Sequence, residues 1–264
     1  MGVNQRPRAG PWAIASLLHH AWFGRGGRLL RSPIYRLWWR WRRNESAILV
    51  GPLRGHRFPD PEITARLGIA DLPVQQWLCC RLQPGDTVYL YGDSLGLISL
   101  LAAARVGPRG NVYGMVSRPG VLARLAELRG YNQVENLHLL PLLLGEETTT
   151  SGFDASTSTW IPPRTSLDLA GTQHQPPDLV YLSSEPETGE IESILRGASQ
   201  LLANAVPHTW IVQARSAGEA HSVKDRLREA GYDCALPATT SPTLVIGLRA
   251  RRSLRRIDSQ WHLM

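Results

Sequence analysis

From residue 47 onward, short apolar runs alternate with longer stretches whose apolar positions recur at helical spacing. Strands are predicted over 88–91, 111–116, 137–140, 178–182, 209–213 and 243–248. Helices are predicted over 97–105, 120–129, 191–204 and 217–230. Ahead of them, 47–53 reads as an early strand and 62–70 as the start of a helix. Residues 72–82 read as a fuller helix, closed by Gln83-Pro84-Gly85-Asp86. Residues 145–175 are rich in Ser, Thr, Gly and Pro and read as one long loop. No internal repeat is present. Strands alternating with helices predict an α/β domain, with a mainly parallel sheet and helices on both faces.

The N-terminal segment has a different pattern. Residues 1–11 are polar, and 12–23 and 34–43 read as two short helices separated at Gly24-Arg25-Gly26-Gly27. Nine arginines (Arg6, Arg8, Arg25, Arg28, Arg31, Arg36, Arg40, Arg42, Arg43) and no acid lie within residues 1–44. The net charge of +7 therefore belongs to this extension, and the rest of the chain is mildly acidic. Five of the nine tryptophans lie there too, at Trp12, Trp22, Trp38, Trp39 and Trp41. Three readings stay open: helices packing their Trp faces on the domain, peripheral membrane contact through residues 12–43, and a nucleic-acid arm, the weakest of the three. No apolar run reaches the roughly 20 residues of a spanning helix. The expected division is 1–46 basic Trp/Arg-rich extension, 47–252 domain and 253–264 tail.

At 264 residues and 43% hydrophobic content, the chain can bury a sizeable core. Cys79, Cys80 and Cys234 form no CxxC and no metal-ligand spacing, so a reduced, cytoplasmic setting is expected and no metal is called for.

The chemistry concentrates at Gly92-Asp93-Ser94-Leu95-Gly96, a glycine turn between the strand 88–91 and the helix 97–105. A ligand at such a turn lies against a helix N-terminus at a strand's carboxyl end. The surrounding sequence carries further landmarks. Pro84-Gly85-Asp86-Thr87-Val88-Tyr89-Leu90-Tyr91-Gly92-Asp93-Ser94-Leu95-Gly96 is followed by Gly110-Asn111-Val112-Tyr113-Gly114-Met115-Val116-Ser117-Arg118-Pro119 and by Asn132-Gln133-Val134-Glu135-Asn136. Downstream come Ser166-Leu167-Asp168, Pro177-Asp178-Leu179-Val180-Tyr181-Leu182, Leu195-Arg196-Gly197-Ala198 and Gly231-Tyr232. In this order the segments resemble the FkbM family of S-adenosylmethionine-dependent methyltransferases over about residues 48–250.

The resemblance implies a Rossmann-like class I methyltransferase fold with S-adenosylmethionine as cofactor. It further implies O-methylation of a small hydroxylated acceptor. Gly92, Asp93, Ser94, Gly96 and Ser117 are the cofactor-binding candidates, and Glu185 and His208 the candidate bases. Several family acids are replaced. The strand acid is Leu90, the turn asparagine is Ser94, and the ribose-binding acid aligns with Val116, leaving Ser117 as a weaker neighbour. The later K-I-D-V-E-G-x-E pattern reads Tyr181-Leu182-Ser183-Ser184-Glu185-Pro186-Glu187-Thr188-Gly189-Glu190, retaining Glu185. A carboxylate on a ribose diol makes two charge-assisted hydrogen bonds of roughly 1.5–3 kcal/mol each. Its loss costs about two to four decades of affinity. Asp93 is read either as a partner for the donor's ammonium or sulfonium or as a helix-capping residue.

Two competing readings follow from the same residues. With its binding acids replaced, the chain can be a catalytically degenerate relative that serves as a binding or scaffold subunit. Alternatively, Gly92-x-Ser94-x-Gly96 fits the nucleophile elbow of α/β-hydrolases, with Ser94 as nucleophile and Asp178 and His208 or His221 as its partners. No His-Gly-Gly oxyanion segment precedes it, and Gly110-Asn111-Val112-Tyr113 has no role in that reading.

Overall fold

The computed structural model describes residues 47–58, 63–154, 159–183, 191–204, 206–237 and 243–249. The N-terminal segment 1–46 and the tail 253–264 lie outside the described residues. After α1 (Ile63–Arg66) and α2 (Leu72–Arg81) come β1 (Thr87–Tyr91), α3 (Leu97–Val106), β2 (Asn111–Met115), α4 (Pro119–Asn132) and β3 (Leu137–Leu140). Two small strand pairs follow, β4 (Leu143–Leu144) with β7 (Arg164–Thr165) and β5 (Gly152–Asp154) with β6 (Thr159–Ile161). The chain continues through α5 (Leu167–Gln173), β8 (Leu179–Ser183), α6 (Ile191–Arg196), α7 (Ser199–Ala203), β9 (Thr209–Ala214), α8 (Ala217–Glu229), β10 (Asp233–Ala235) and β11 (Thr243–Leu248).

The main sheet has seven strands in the order β10-β11-β9-β8-β1-β2-β3. β1, β2, β3, β8 and β9 run parallel, while β11 pairs antiparallel with both β9 and β10. The chain builds outward from β1 to β3, then crosses back to place β8 on the other side of β1. This order, ending in an antiparallel β10–β11 pair, is that of the Rossmann-like class I methyltransferase fold. Its topological switch point lies between β1 and β8, and ligands of open α/β sheets bind outside the strands' carboxyl ends at such a point.

Strand alternation explains why both faces are covered. On β1, Val88 and Leu90 enter one core with residues of α2, α3 and α4, while Tyr89 and Tyr91 enter another with residues of α5, α6, α7 and α8. A strand buried on both faces has no polar side, so all five residues of β1 are buried.

Several predicted elements change. Residues 47–53 form no strand: Ala47 makes one isolated bridge to Arg57, and the chain turns at Gly51 and Gly55, both with φ near +90°. Ile48, Leu53 and Phe58 instead anchor this turn in the core beside α2 and α3. The helix expected over 62–70 is the single turn α1. The helix expected over 191–204 is split at Gly197, which lies so close to Gly145 that an added Cβ would stand 2.2 Å from its carbonyl oxygen. Asp168 restarts the helix, accepting from the Gln200 and Leu201 N–H groups at 2.9 Å each and from the Ser199 hydroxyl at 3.2 Å. The loop expected over 145–175 contains β5 to β7 and α5. Ser166 caps α5 by accepting from Leu169 N–H at 3.1 Å.

Candidate functional site at the switch point

The turn after β1 shapes the site. Gly92 has φ +85°, and its ideal Cβ would fall 2.5 Å from the Ser183 carbonyl oxygen. Only glycine lets the ends of β1 and β8 approach this closely. Gly96 has φ +81°, and a Cβ there would meet Leu125 Cδ2 at 2.4 Å, so this glycine seats α3 against α4. Between them, Asp93 turns its carboxylate onto the start of α3. Oδ1 accepts from Gly96 N–H at 2.9 Å and Oδ2 from Ser99 N–H at 2.6 Å. Enclosure away from water pushes the Asp93 carboxyl up to about 6, although hydrogen bonds from Ser99 and Gly96 favour its charged form. The Asp71 charge nearby adds to the rise. Asp93 therefore caps α3, one of its two expected roles.

Two spaces open on either side of this turn. A cavity of about 140 Å³ lies between the ends of β1, β8 and β9, lined by Asp71, Gly92, Asp93, Ser94, Leu95, Tyr181, Ser183 and Gln213. A shallower groove of about 20 Å³ runs toward β2 and includes Tyr91, Met115, Val116, Ser117, Arg118 and Val121, sharing Gly92, Asp93 and Ser94 with the cavity. The turn is thus a common wall.

The polar cavity is wired by side chains that sequence pattern alone left unassigned. Tyr181 Oη–H donates to Gln213 Oε1 at 2.7 Å, and Ser183 Oγ–H donates to the same oxygen at 3.3 Å. The Gln213 amide must then present Nε2 on its other side, where it donates to Asp71 Oδ1 at 3.0 Å. Asp71 and Gln213 are 142 positions apart. Gln213 lies near the end of a fully buried strand, and its one local cue is a polar side chain at the carboxyl end of an apolar run; nothing local pairs it with Asp71. Asp71 had a local cue, an acid just before Leu72-Pro73 at a helix start.

The structure brings together Gly92, Asp93, Ser94 and Ser117, with Gly96 beneath them as a packing residue. Leu90 is buried in the core beside α3, and Val116 lines the groove where the resemblance expects an acid. Glu185 lies outside the described residues. His208 is not part of this site. It precedes β9, and its backbone N–H donates to the Asp178 carbonyl at 3.1 Å at the amino edge of the sheet. A five-residue strand spans about 16 Å, which separates His208 from the glycine turn. It lines a separate amino-edge cavity of about 250 Å³ with Arg81, Asp86, Asp178 and Arg249.

The same geometry dismantles the hydrolase reading. Asp178 Oδ2 accepts from Thr87 N–H at 2.9 Å at the amino edge, and His221 sits on α8 with a ring nitrogen 2.6 Å from the Ala217 carbonyl oxygen. No histidine lines either space around Ser94 among the described residues. Also among them, no group of three His, Cys, Asp or Glu could hold a metal, and no helix is long and apolar enough to cross a membrane.

No family model and no curated protein matches the sequence. Solved structures do resemble the fold. Precorrin-6y C5,15-methyltransferase from Geobacter metallireducens GS-15 is similar at 12% identity and TM-score 0.49, over 69% of this chain and 87% of that one. A methyltransferase from Geobacter sulfurreducens is similar at 13% identity and TM-score 0.47, over 72% and 88%. A candidate methyltransferase from Streptococcus mutans, in complex with SAH, is similar at 12% identity and TM-score 0.47, over 68% and 96%. The fold assignment is carried by this chain's own strand order.

Proposed function

We propose that this chain is an S-adenosylmethionine-dependent methyltransferase of FkbM type that acts on a small hydroxylated acceptor. The supporting observation is the polar cavity at the switch point, where the ends of β1, β8 and β9 meet the glycine turn. At the cofactor's charged end the residues fit: Asp71, Ser94, Ser183 and Gln213 surround a space open to a small polar or cationic group. At the ribose end Ser117 supplies a hydroxyl in place of a carboxylate, so binding is weaker by about two to four decades.

When bound, the cofactor supplies an activated methyl group on a sulfonium. The chain's contribution is then positioning. Gly92 and Ser94 form the wall between groove and cavity, Ser117 offers a hydrogen bond in the groove, and the Tyr181–Gln213 pair orients polar groups in the cavity. A hydroxyl acceptor must also lose a proton, and Glu185, just beyond β8 in the sequence, is the proton acceptor in this reading.

A second reading, a non-catalytic methyltransferase-fold subunit, draws on one specific observation. The Asp93 carboxylate already occupies two N–H donors at the start of α3, and neither Leu90 nor Val116 replaces the missing acids. Incubation of the full chain with methyl-labelled S-adenosylmethionine and a pool of small hydroxylated compounds separates the two. Label in a small product supports the enzyme. Absence of transfer in a chain that also shows no affinity for S-adenosylhomocysteine supports the subunit.

Peripheral membrane contact through residues 12–43 is a further part of the proposal, supported by their Trp/Arg pattern alone. Co-sedimentation with anionic vesicles, lost on deletion of residues 1–44, tests it.

A further inference from the structure

The switch-point cavity has an unusual balance of charge. Its ionisable lining residues include two acids, Asp71 and Asp93, and no Arg, Lys or His lines it among the described residues. The two acids are not equivalent. Both Asp93 oxygens are engaged by backbone N–H groups of the Gly96–Ser99 turn. Asp71 occupies the N-cap position of α2 yet makes no side-chain cap there. Its backbone is left-handed at φ +50°, a conformation that Asp tolerates and most residues avoid. The approach to it is held by Gln75, a buried side chain whose Nε2 donates to the carbonyls of Gly68 at 3.2 Å and Ala70 at 2.7 Å. The chain thus forgoes a helix cap, and Asp71 reaches across the cavity to Gln213.

Gln213 fixes only one side of that carboxylate. Its own amide is oriented by Tyr181 and Ser183, so Nε2 must face Asp71 Oδ1. A carboxylate offers about four lone-pair sites, and this one borders a space of about 140 Å³.

We propose that Asp71, held by Gln213, is the counter-charge that reads a positive centre in this cavity, so that the site prefers the sulfonium form of the methyl donor to its neutral thioether product. This rests on the proposed function and adds to it a residue and a discrimination. Methyl transfer discharges the sulfur. A site tuned by Asp71 then holds the product less tightly than the donor, which favours release.

The experiment is calorimetric titration of the full chain with S-adenosylmethionine and, separately, with S-adenosylhomocysteine, on the wild type, Asp71→Asn and Asp71→Gly. Glycine suits φ +50°, so the second variant preserves the backbone if the first does not fold. The expected result is a preference of about tenfold for the sulfonium in the wild type, equivalent to about 1.4 kcal/mol. In both variants the ratio falls to within about twofold of unity while thioether affinity is retained. Equal affinity for the two ligands in the wild type, or a preference that survives in the variants, overturns the inference and leaves the proposed function standing. If neither nucleoside binds the wild type, the proposed function fails. The inference is then decided by thermal shift with trimethylsulfonium chloride against sodium chloride at equal ionic strength. Stabilisation that depends on Asp71 supports it, and none overturns it.

Discussion

Asp93→Asn probes the turn at the centre of the site through its pH dependence. The Asp93 carboxyl stands at about 6 in the folded chain against 3.8 as an ordinary carboxyl, chiefly because of its enclosure. The sign follows from proton counting. Between the two values the folded state binds more protons than the unfolded state, so stability rises as pH falls through about 6 toward 4. From pH 7.5 to 4.5 this group adds about 2 kcal/mol, reduced to about 1–2 kcal/mol because Asp93 keeps part of its surface at the cavity wall. The carboxamide of the Asp93→Asn variant does not titrate. Urea unfolding of both proteins at the two pH values isolates the contribution of Asp93 and its coupling to Asp71, because groups that do not interact with Asp93 cancel in the comparison. The wild type should gain about 1–2 kcal/mol over Asp93→Asn on acidification. A difference that stays flat, or a wild type that loses ground at pH 4.5, refutes the enclosed, capping carboxylate.

Three other outcomes follow from the packing. Gly96→Ala should cost about 2–4 kcal/mol in urea unfolding, since it combines a left-handed backbone with a Cβ 2.4 Å from Leu125 Cδ2; a loss under about 0.5 kcal/mol would contradict that seating of α3 on α4. Asp168→Ala should cost about 1–2 kcal/mol by removing the cap of α7, and an unchanged urea midpoint would contradict the capping role. His208→Ala should leave the affinity for S-adenosylhomocysteine within about twofold of wild type, measured by calorimetry, because His208 lies at the opposite edge of the sheet; a tenfold loss would return it to the site.

The parallel core was legible because its strands are apolar runs bounded by turn signals, and β3 and β11 have the predicted bounds. The two- and three-residue strands β4 to β7 were not, since periodicity needs more positions than they possess. The break at Gly197 was hidden for a different reason: the contact that forces it comes from Gly145, 52 positions earlier. At the site, Gly92, Asp93 and Ser94 were readable as a turn after a strand. The Asp71–Gln213 pair was not, because the switch point, where the chain crosses back past β1, joins residues that share no local pattern. His208 was misplaced although its sequence position already told against it: it precedes β9, and in a parallel sheet the cleft lies at the strands' carboxyl ends.

The most direct measurement is calorimetric titration of the full chain with S-adenosylhomocysteine at pH 7.5. The proposed methyl-donor site, with Val116 and Ser117 where the resemblance expects a ribose-binding acid, predicts saturable binding with a Kd between about 10 µM and 1 mM. No heat of binding at ligand concentrations of several times about 1 mM would contradict a methyl-donor site at the switch point.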